Sequence, residues 1–209
     1  MHYVFDLSIN DRTIKARAFT FKEFQNLVAA KERGELSGVV VETINECTGL
    51  NALELSTQEA EYVFLMLWCN SLAKMNFNAT WHCDVCDKEK DYHIDITKTQ
   101  ITEAEPYILD LGEVKINFRQ PKFTEDSDIM QMIIKCIDYI IIGNEQFDIN
   151  DLNAQDFDTI LNMITQEHVE NIIYELTKNQ IILAVPVKCE CGEAGVYSIK
   201  GLSDFLKIV

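Results

Sequence analysis

Two close pairs of cysteines constrain this chain more than any other feature of its sequence. The first pair is Cys83 and Cys86, and the second is Cys189 and Cys191. Four thiolates from two such pairs are the ligand set of a tetrahedral structural zinc site. The sequence therefore predicts one structural Zn²⁺ ion bound by all four of these cysteines.

Alternating apolar and polar residues flank both cysteine pairs. They occupy 77–82 and 90–96 around the first pair, and 181–187 and 195–199 around the second. A period of two is typical of β-strands. Each pair is therefore expected at the tip of a β-hairpin, and the two hairpins together would form a discontinuous zinc-ribbon-like module.

Several features leave other interpretations of these cysteines open. The second pair is Cys-x-Cys instead of Cys-x-x-Cys, and 102 residues separate Cys86 from Cys189, many more than in a compact ribbon. His82 or His93 could replace one cysteine as a ligand. The pair of Cys83 and Cys86 alone could be a redox site, and the four cysteines could also be separate thiols without a metal.

The residues after the two pairs differ. Gly192 follows the second pair, where the lack of a Cβ atom eases a tight turn that directs backbone N–H groups at the sulfurs. Asp87 occupies the corresponding place after the first pair. This position is a departure from the pattern expected of a zinc-binding turn.

The overall charge of the chain disfavours nucleic acid as a partner. Its 209 residues include 18 basic and 34 acidic ones, which gives a formal net charge of −16. Such a charge repels the phosphate backbone of nucleic acids, so binding to nucleic acid is disfavoured.

The sequence also predicts where the protein is located. The first twenty residues contain charged side chains and lack the apolar core of a secretory signal. The most apolar run, 133–142, has two charges and is too short to span a membrane. We therefore expect a cytosolic protein without a membrane span, in which Cys47, Cys69 and Cys136 are small buried core residues.

Outside the cysteine hairpins, the patterns in the first half predict one hairpin and three helices. Residues 3–9 and 13–21 alternate around a turn at 10–12. Helical spacing then starts at residue 21, and glycines mark the ends of the first two helices near residues 34 and 49. Ser56 and Glu59 fit a capping box in front of the strongest helix.

The second half is predicted to contain one strand and several helices. Residues 113–121 alternate and end in a proline, which indicates a strand at the edge of a sheet. Helical patterns cover, in order, 126–142, 157–164, 169–176 and 201–206. Apart from the two cysteine hairpins, no internal repeat is recognisable.

The predicted fold class is α+β, with a mostly helical body, an N-terminal β-hairpin and the four-cysteine module. Four segments are expected to form one compact unit. They are 1–76 with the hairpin and helices, 77–98 together with 180–200 as the zinc-ribbon-like module, 99–179 with a strand and helices, and 201–209 as a C-terminal helix.

The segment 145–158 is a candidate contact surface. It holds five acidic residues and no basic one, with Phe147, Ile149 and Leu152 among them. Apolar anchors ringed by carboxylates would suit a partner with a basic rim. The alternative interpretation is a solvated loop that leads into a helix.

The sequence lacks the motifs of common catalytic sites. It has no phosphate-binding loop, no dinucleotide-binding glycine motif, no nucleophile elbow and no His-Glu-x-x-His. A zinc ion held by four cysteines also lacks the open position that a catalytic zinc needs. A non-enzymatic protein is therefore expected.

The later part of the chain resembles a known family. The resemblance lies in Phe118-Arg119-Gln120-Pro121, the helical Phe/Ile-rich segment that follows, the stretch 186–192 around the second cysteine pair, and the terminal stretch 199–206. These features are similar to the baseplate hub family of T-even-like contractile-tailed bacteriophages. The similarity covers roughly residues 55–209.

The resemblance implies a structural or assembly protein of the phage tail baseplate hub. Its partners would be other tail hub proteins, and it would act in the host cytoplasm during assembly or as part of the virion. Two alternatives remain at this point. One is a zinc-ribbon adaptor of transcription or nucleic-acid machinery, and the other is an enzyme with an unrecognised site.

Overall fold

A computed structural model describes residues 3–10 and 12–208, so Asp11 in the predicted turn and residues 1, 2 and 209 lie outside the described part. The described chain divides into two compact units. The first unit comprises residues up to Thr102 and from Gln180 onward, and the second unit is Glu103–Asn179. Whether the four predicted segments form one folding unit stays a prediction.

The second unit is an insertion between two paired strands of the first unit. Strand β5 (Gln100–Ile101) pairs antiparallel with β10 (Ile181–Lys188). Next to this pair, the Thr102 amide donates to the Gln180 carbonyl at 3.2 Å, and the Gln180 amide donates to Thr102 Oγ1 at 2.9 Å. The chain therefore leaves and re-enters the first unit at one place.

The first unit begins with a β-hairpin and three helices, as predicted. The elements are β1 (Val4–Ile9), β2 (Arg12–Arg17), α1 (Phe21–Arg33), α2 (Leu36–Thr48) and α3 (Thr57–Ser71). The predicted capping box is confirmed, because the Ser56 side chain accepts from the Glu59 amide and the Glu59 side chain accepts from the Ser56 amide. Gly34 and Gly49 end α1 and α2 in the left-handed conformation, at φ 73° and 72°.

Two further hairpins and a short helix complete the first unit. The hairpins are β3 (Asn76–His82) with β4 (Glu89–Asp95), and β10 with β11 (Ala194–Lys200), and the helix is α7 (Gly201–Phe205). Each cysteine pair lies in the loop that connects the two strands of one of these hairpins, as the alternating patterns predicted. Phe64 of α3, Ile94 of β4 and Phe205 of α7 are fully buried in the core of this unit.

The second unit is a four-stranded antiparallel sheet with helices that share its core. Its strands follow the order β6 (Tyr107–Asp110), β7 (Val114–Phe118), β8 (Ile137–Ile142) and β9 (Glu145–Phe147). Its helices are α4 (Ile129–Cys136), α5 (Ala154–Leu161) and α6 (Gln166–Thr177). Residues from both the sheet and the helices form one core cluster, which includes Ile116, Ile140 and Ile172, all fully buried.

The prediction of a mostly helical body is not confirmed. The described residues form seven α-helices and eleven strands in several small sheets. The predicted helix 126–142 is wrong in its second part, because Ile137–Ile142 is strand β8 and pairs with β7. Its isoleucines are β-branched and favour a strand, and Gly143 at φ 62° turns the chain directly into β9. The predicted edge position of the strand at 113–121 is also wrong, because β7 lies between β6 and β8.

The structure also shows an internal repeat that the sequence patterns did not reveal. The hairpin that opens the first unit recurs in the second unit, displaced by 102 residues. Leu7 pairs with Ile14 across β1 and β2, and Leu109 pairs with Ile116 across β6 and β7. The two hairpins therefore have the same register and the same residues at one central pair.

The repeat continues past the second strand of each hairpin. Arg17 makes a bidentate ion pair with Glu23, at 2.7 and 3.0 Å, and Arg119 makes one with Glu125, at 2.8 and 3.1 Å. In both copies the backbone N–H three residues after the arginine donates to the same carboxylate. Each ion pair therefore fixes the chain where it leaves the hairpin.

Candidate metal centre

The two cysteine hairpins bring four sulfur atoms together. The Sγ atoms of Cys83, Cys86, Cys189 and Cys191 all lie within 4.8 Å of one another. Cys83 is 3.7 Å from Cys191, and Cys86 is 3.4 Å from Cys189, so each close contact joins the two hairpins. Tetrahedral zinc with metal–sulfur distances of about 2.3 Å places its sulfurs about 3.8 Å apart. The donor set and its spacing fit one zinc ion, while ligation itself stays a prediction.

Both cysteine pairs are followed by a residue with a positive φ whose amide bonds back to the first cysteine of the pair, although the first turn is one residue longer than the second. Asp87 follows the first pair at φ 57°, and Gly192 follows the second at φ 100°. The Asp87 amide donates to the Cys83 carbonyl at 2.9 Å, and the Gly192 amide donates to the Cys189 carbonyl at 3.1 Å. Aspartate is among the residues that tolerate a positive φ, so Asp87 performs the role expected of a glycine.

The cysteines of the cluster shift one another's thiol pKa values. The backbone N–H of Cys191 lowers the pKa of the Cys189 thiol to about 7. The backbone N–H of Lys88 also lowers the pKa of Cys86, but hydrogen bonding to the neighbouring cysteine side chains and burial outweigh it and raise the pKa of Cys86 to about 12. Cys189 is therefore the thiol that most readily forms the thiolate that a metal requires.

The two histidines considered as alternative ligands lie outside the sulfur cluster. His93 Nδ1 lies 3.1 Å from Asn78 Oδ1, its neighbour across the hairpin. His82 Nε2 lies 3.4 Å from Asp87 Oδ1. Among the described residues, the group suited to a metal consists of the four cysteines alone.

Direct contacts also join the two cysteine hairpins. The Tyr92 hydroxyl donates to the Lys188 carbonyl at 2.6 Å and accepts from the Lys188 amide at 2.8 Å. The Trp81 ring lies beside Gly195, where an added Cβ would come within 3.4 Å of the indole. These contacts were not predicted from the sequence, although an isolated glycine in a strand, such as Gly195, is a known sign of close approach.

The remaining three cysteines are separate from the cluster and buried, as predicted. They are Cys47 of α2, Cys69 of α3 and Cys136 of α4. Burial raises the pKa of Cys47 and Cys136 to about 11 and that of Cys69 to about 12. These thiols stay protonated at neutral pH and act as small core side chains.

The acidic segment 145–158 does not form the predicted apolar surface. Ile149 and Leu152 are half-buried and pack against the core of the second unit, and the third predicted anchor, Phe147, is half-buried in β9. The carboxylates of this segment are exposed, and part of it forms strand β9 and the start of α5. The segment is thus closer to the alternative prediction of a solvated connection into a helix.

Among the described residues, no helix is both long enough and apolar enough to cross a bilayer.

Comparisons with known proteins show clear similarity over the whole chain. A protein-family model described as "T4 bacteriophage base plate protein" matches residues 1–207. The curated protein "Baseplate hub assembly protein gp26" of Enterobacteria phage T4 is 36% identical over 208 residues, which cover 99% of each chain. No solved structure matches.

Proposed function

Because this chain belongs to the T4 bacteriophage base plate protein family, we propose that it is a non-enzymatic assembly protein of the phage tail baseplate hub. One observation carries the proposal: the 36% identity, over 99% of both chains, with a relative named as a baseplate hub assembly protein. At this level of identity over the whole length, the two proteins can be expected to share both fold and role.

The protein acts through contacts with other baseplate proteins, which in this proposal are components of the tail hub. It does so in the host cytoplasm, where the tail is built, and it either leaves the finished hub or stays in the virion. The chemistry of the candidate metal centre supports a structural role. Four sulfurs fill the coordination sphere of a zinc ion and leave no position for a substrate or a reactive water.

In the same proposal, one structural zinc ion on Cys83, Cys86, Cys189 and Cys191 stabilises the first unit. Binding at such a site contributes about 10–16 kcal/mol at neutral pH, and this free energy adds to folding because the unfolded chain lacks the site. The ion would join two hairpins that 102 residues separate in sequence. It would therefore hold together the part of the chain from which the second unit is inserted.

The competing function, an adaptor for nucleic acid, has less support. Two of the lysines near the candidate metal centre are already engaged: Lys88 lies 3.5 Å from Glu190, and Lys90 donates to the Lys188 carbonyl at 3.1 Å. The net charge of −16 also opposes an approach to phosphates. A zinc-ribbon adaptor would need a free basic surface at this place.

A phage that carries a stop codon in the gene for this chain tests the proposed function. Infection of a non-suppressing host should yield incomplete tails whose hub proteins are not assembled, as seen by electron microscopy and mass spectrometry of purified particles. Supplying the intact chain from a plasmid should restore complete hubs. Complete hubs without the protein would contradict the proposal. Mass spectrometry of wild-type virions then distinguishes a subunit from an assembly factor that leaves.

A further inference from the structure

The sheet of the second unit has one face that its helices do not share. Leu109, Ile116 and Ile140 are aligned across three strands, and all belong to the buried core. Because side chains alternate along a strand, their neighbours point to the opposite face. Ile108 and Tyr139 lie on that face, which we call the outer sheet face.

Three apolar side chains lie on the outer sheet face. Ile108 is 50% exposed, Asn117 of β7 lies opposite it, and Tyr139 of β8 lies opposite Asn117. Ile141 of β8 lies on the same face and is half-buried.

The same face also carries polar groups. Asn117 is buried, and Asp110 and Lys115 form an ion pair at 2.8 Å beside it. Apolar side chains among paired polar groups are typical of a protein interface.

The internal repeat shows that this exposed isoleucine is not a requirement of the hairpin. With the displacement of 102 residues, Ile108 and Asn117 correspond to Asp6 and Lys15 of the first unit. Asp6 and Lys15 are also a directly opposed pair, and they form an exposed ion pair at 2.5 Å. The same position therefore accommodates a solvated ion pair in one copy and an apolar side chain in the other.

The second unit also carries most of the net charge. It contains 16 of the 34 acidic residues but only five of the 18 basic ones, so it contributes −11 of the net charge of −16. Some carboxylates lie around the outer sheet face. Asp138 accepts a hydrogen bond from Asn117 at 3.3 Å and is exposed, and the exposed Glu113 directly precedes β7.

From these observations we propose that the outer sheet face binds a baseplate protein that presents an apolar patch with a basic rim. Ile108 is the apolar anchor, and the surrounding carboxylates pair with the basic rim. A second copy of this chain does not fit, because two faces with the same negative charge repel. Nucleic acid and anionic membranes are excluded by the same charge. The inference rests on the proposed function and names the chemistry of the partner.

The first test measures binding of the full-length, zinc-loaded chain to each hub protein of its own phage, purified singly. Ile108→Thr removes an apolar group and keeps a β-branched residue in the strand. It should weaken binding at least about tenfold, mainly through faster dissociation. Val4→Thr on the N-terminal hairpin and Val196→Thr on the second cysteine hairpin are matched controls, because Val4 and Val196 are 56% and 63% exposed. Both controls should bind like the wild type.

A second test concerns the acidic rim. The double variant Glu113→Gln and Asp138→Asn should slow association about three- to tenfold at low salt, and the difference should shrink at high salt. The control is Glu32→Gln with Glu42→Gln in the first unit, which changes the net charge equally. The control should slow association much less, because its carboxylates lie on α1 and α2 instead of the outer sheet face.

The outcomes separate this inference from the proposed function. If no hub protein binds the wild-type chain, the proposed function is wrong and this inference falls with it. If a hub protein binds and Ile108→Thr has no effect, or a valine control weakens binding equally, this inference is wrong while the proposed function stands. Thermal midpoints of all variants should stay close to the wild type, which shows that binding changes do not arise from unfolding.

Discussion

The Tyr92 hydroxyl makes hydrogen bonds to both backbone groups of Lys188, at 2.6 Å to the carbonyl and 2.8 Å to the amide. Tyr92 belongs to β4 and Lys188 is the last residue of β10, next to Cys189. The contact therefore holds the two cysteine hairpins together immediately beside the sulfur cluster. It involves no cysteine side chain, so its contribution can be measured separately from that of the sulfur cluster.

We expect Tyr92→Phe to lower the free energy of unfolding by about 1–2 kcal/mol, because the Lys188 amide loses this partner and the Lys188 carbonyl keeps only the hydrogen bond from Lys90. Chemical denaturation measures this change, and metal analysis of the same variant should show an unchanged zinc content. The control is Tyr197→Phe on β11. Tyr197 is also half-buried, and no hydrogen bond of its hydroxyl is found among the described residues. Equal losses in the two variants would show that the Lys188 contact is not stabilising.

The purified protein should contain one zinc ion per chain. Four sulfurs within 4.8 Å of one another form a complete tetrahedral ligand set. X-ray absorption at the zinc edge should show four sulfur neighbours at about 2.3 Å and no nitrogen. Less than half an equivalent of metal in protein prepared without chelator would contradict the assignment. A nitrogen ligand in the spectrum would instead favour His82 or His93.

Cys189→Ser should destabilise the protein more than Cys47→Ser. Loss of a ligand breaks the link between distant hairpins, whereas loss of a small buried thiol costs at most a few kcal/mol. Thermal midpoints of the two variants, each measured with and without chelator, provide the comparison. Chelator should lower the midpoint of the wild type and of Cys47→Ser, and it should change Cys189→Ser little. Equal shifts in both variants would show that the metal is peripheral.

The cysteine cluster could be predicted because its signal is local. Cys83 and Cys86 stand between two alternating segments, and so do Cys189 and Cys191. Each hairpin follows from neighbouring residues, and only their meeting requires the tertiary fold. The role of Asp87 was harder to predict, because aspartate adopts a positive φ far less often than glycine and the backbone decides when it does so.

Strand β8 was missed for a physical reason. Short apolar runs such as 133–142 fit a helix or a buried strand equally well by periodicity. The helix α4 occupies the first part of the run, and β8 occupies the second part because β7 offers it a hydrogen-bonding partner. The Gly143-Asn144 turn that follows was the available signal for a hairpin.

The internal repeat could not be recognised from composition or periodicity. Few positions are identical between the two copies, among them Arg17 with Arg119 and Glu23 with Glu125. These residues matter because they form the same ion pair at the same place after a hairpin. Their equivalence becomes visible only when the strand registers are compared.

The Arg17–Glu23 ion pair should make part of the stability depend on pH. Its hydrogen bonds lower the pKa of Glu23 from its ordinary 4.5 to about 2. A carboxyl group with a lowered pKa in the folded state stabilises the protein above its unfolded pKa. The contribution is therefore complete above about pH 4.5 and is lost as the pH falls from there towards 2.

Glu23→Gln measures this contribution directly. The free energy of unfolding of the wild type should exceed that of the variant by about 1–2 kcal/mol at pH 7. This value takes into account that solvent screens the partly exposed ion pair. The difference should approach zero near pH 2. Loss of zinc in acid affects both proteins alike and cancels in the difference. For Glu125→Gln, the difference in the free energy of unfolding should have the same sign. Burial raises the pKa of Glu125, but the hydrogen bonds from Arg119 and the Lys122 amide outweigh burial and lower the pKa overall. Glu32→Gln on α1 is the control, because it makes the same chemical change at an exposed residue. A Glu23→Gln difference that stays constant from pH 7 to pH 2 would contradict the assigned ion pair.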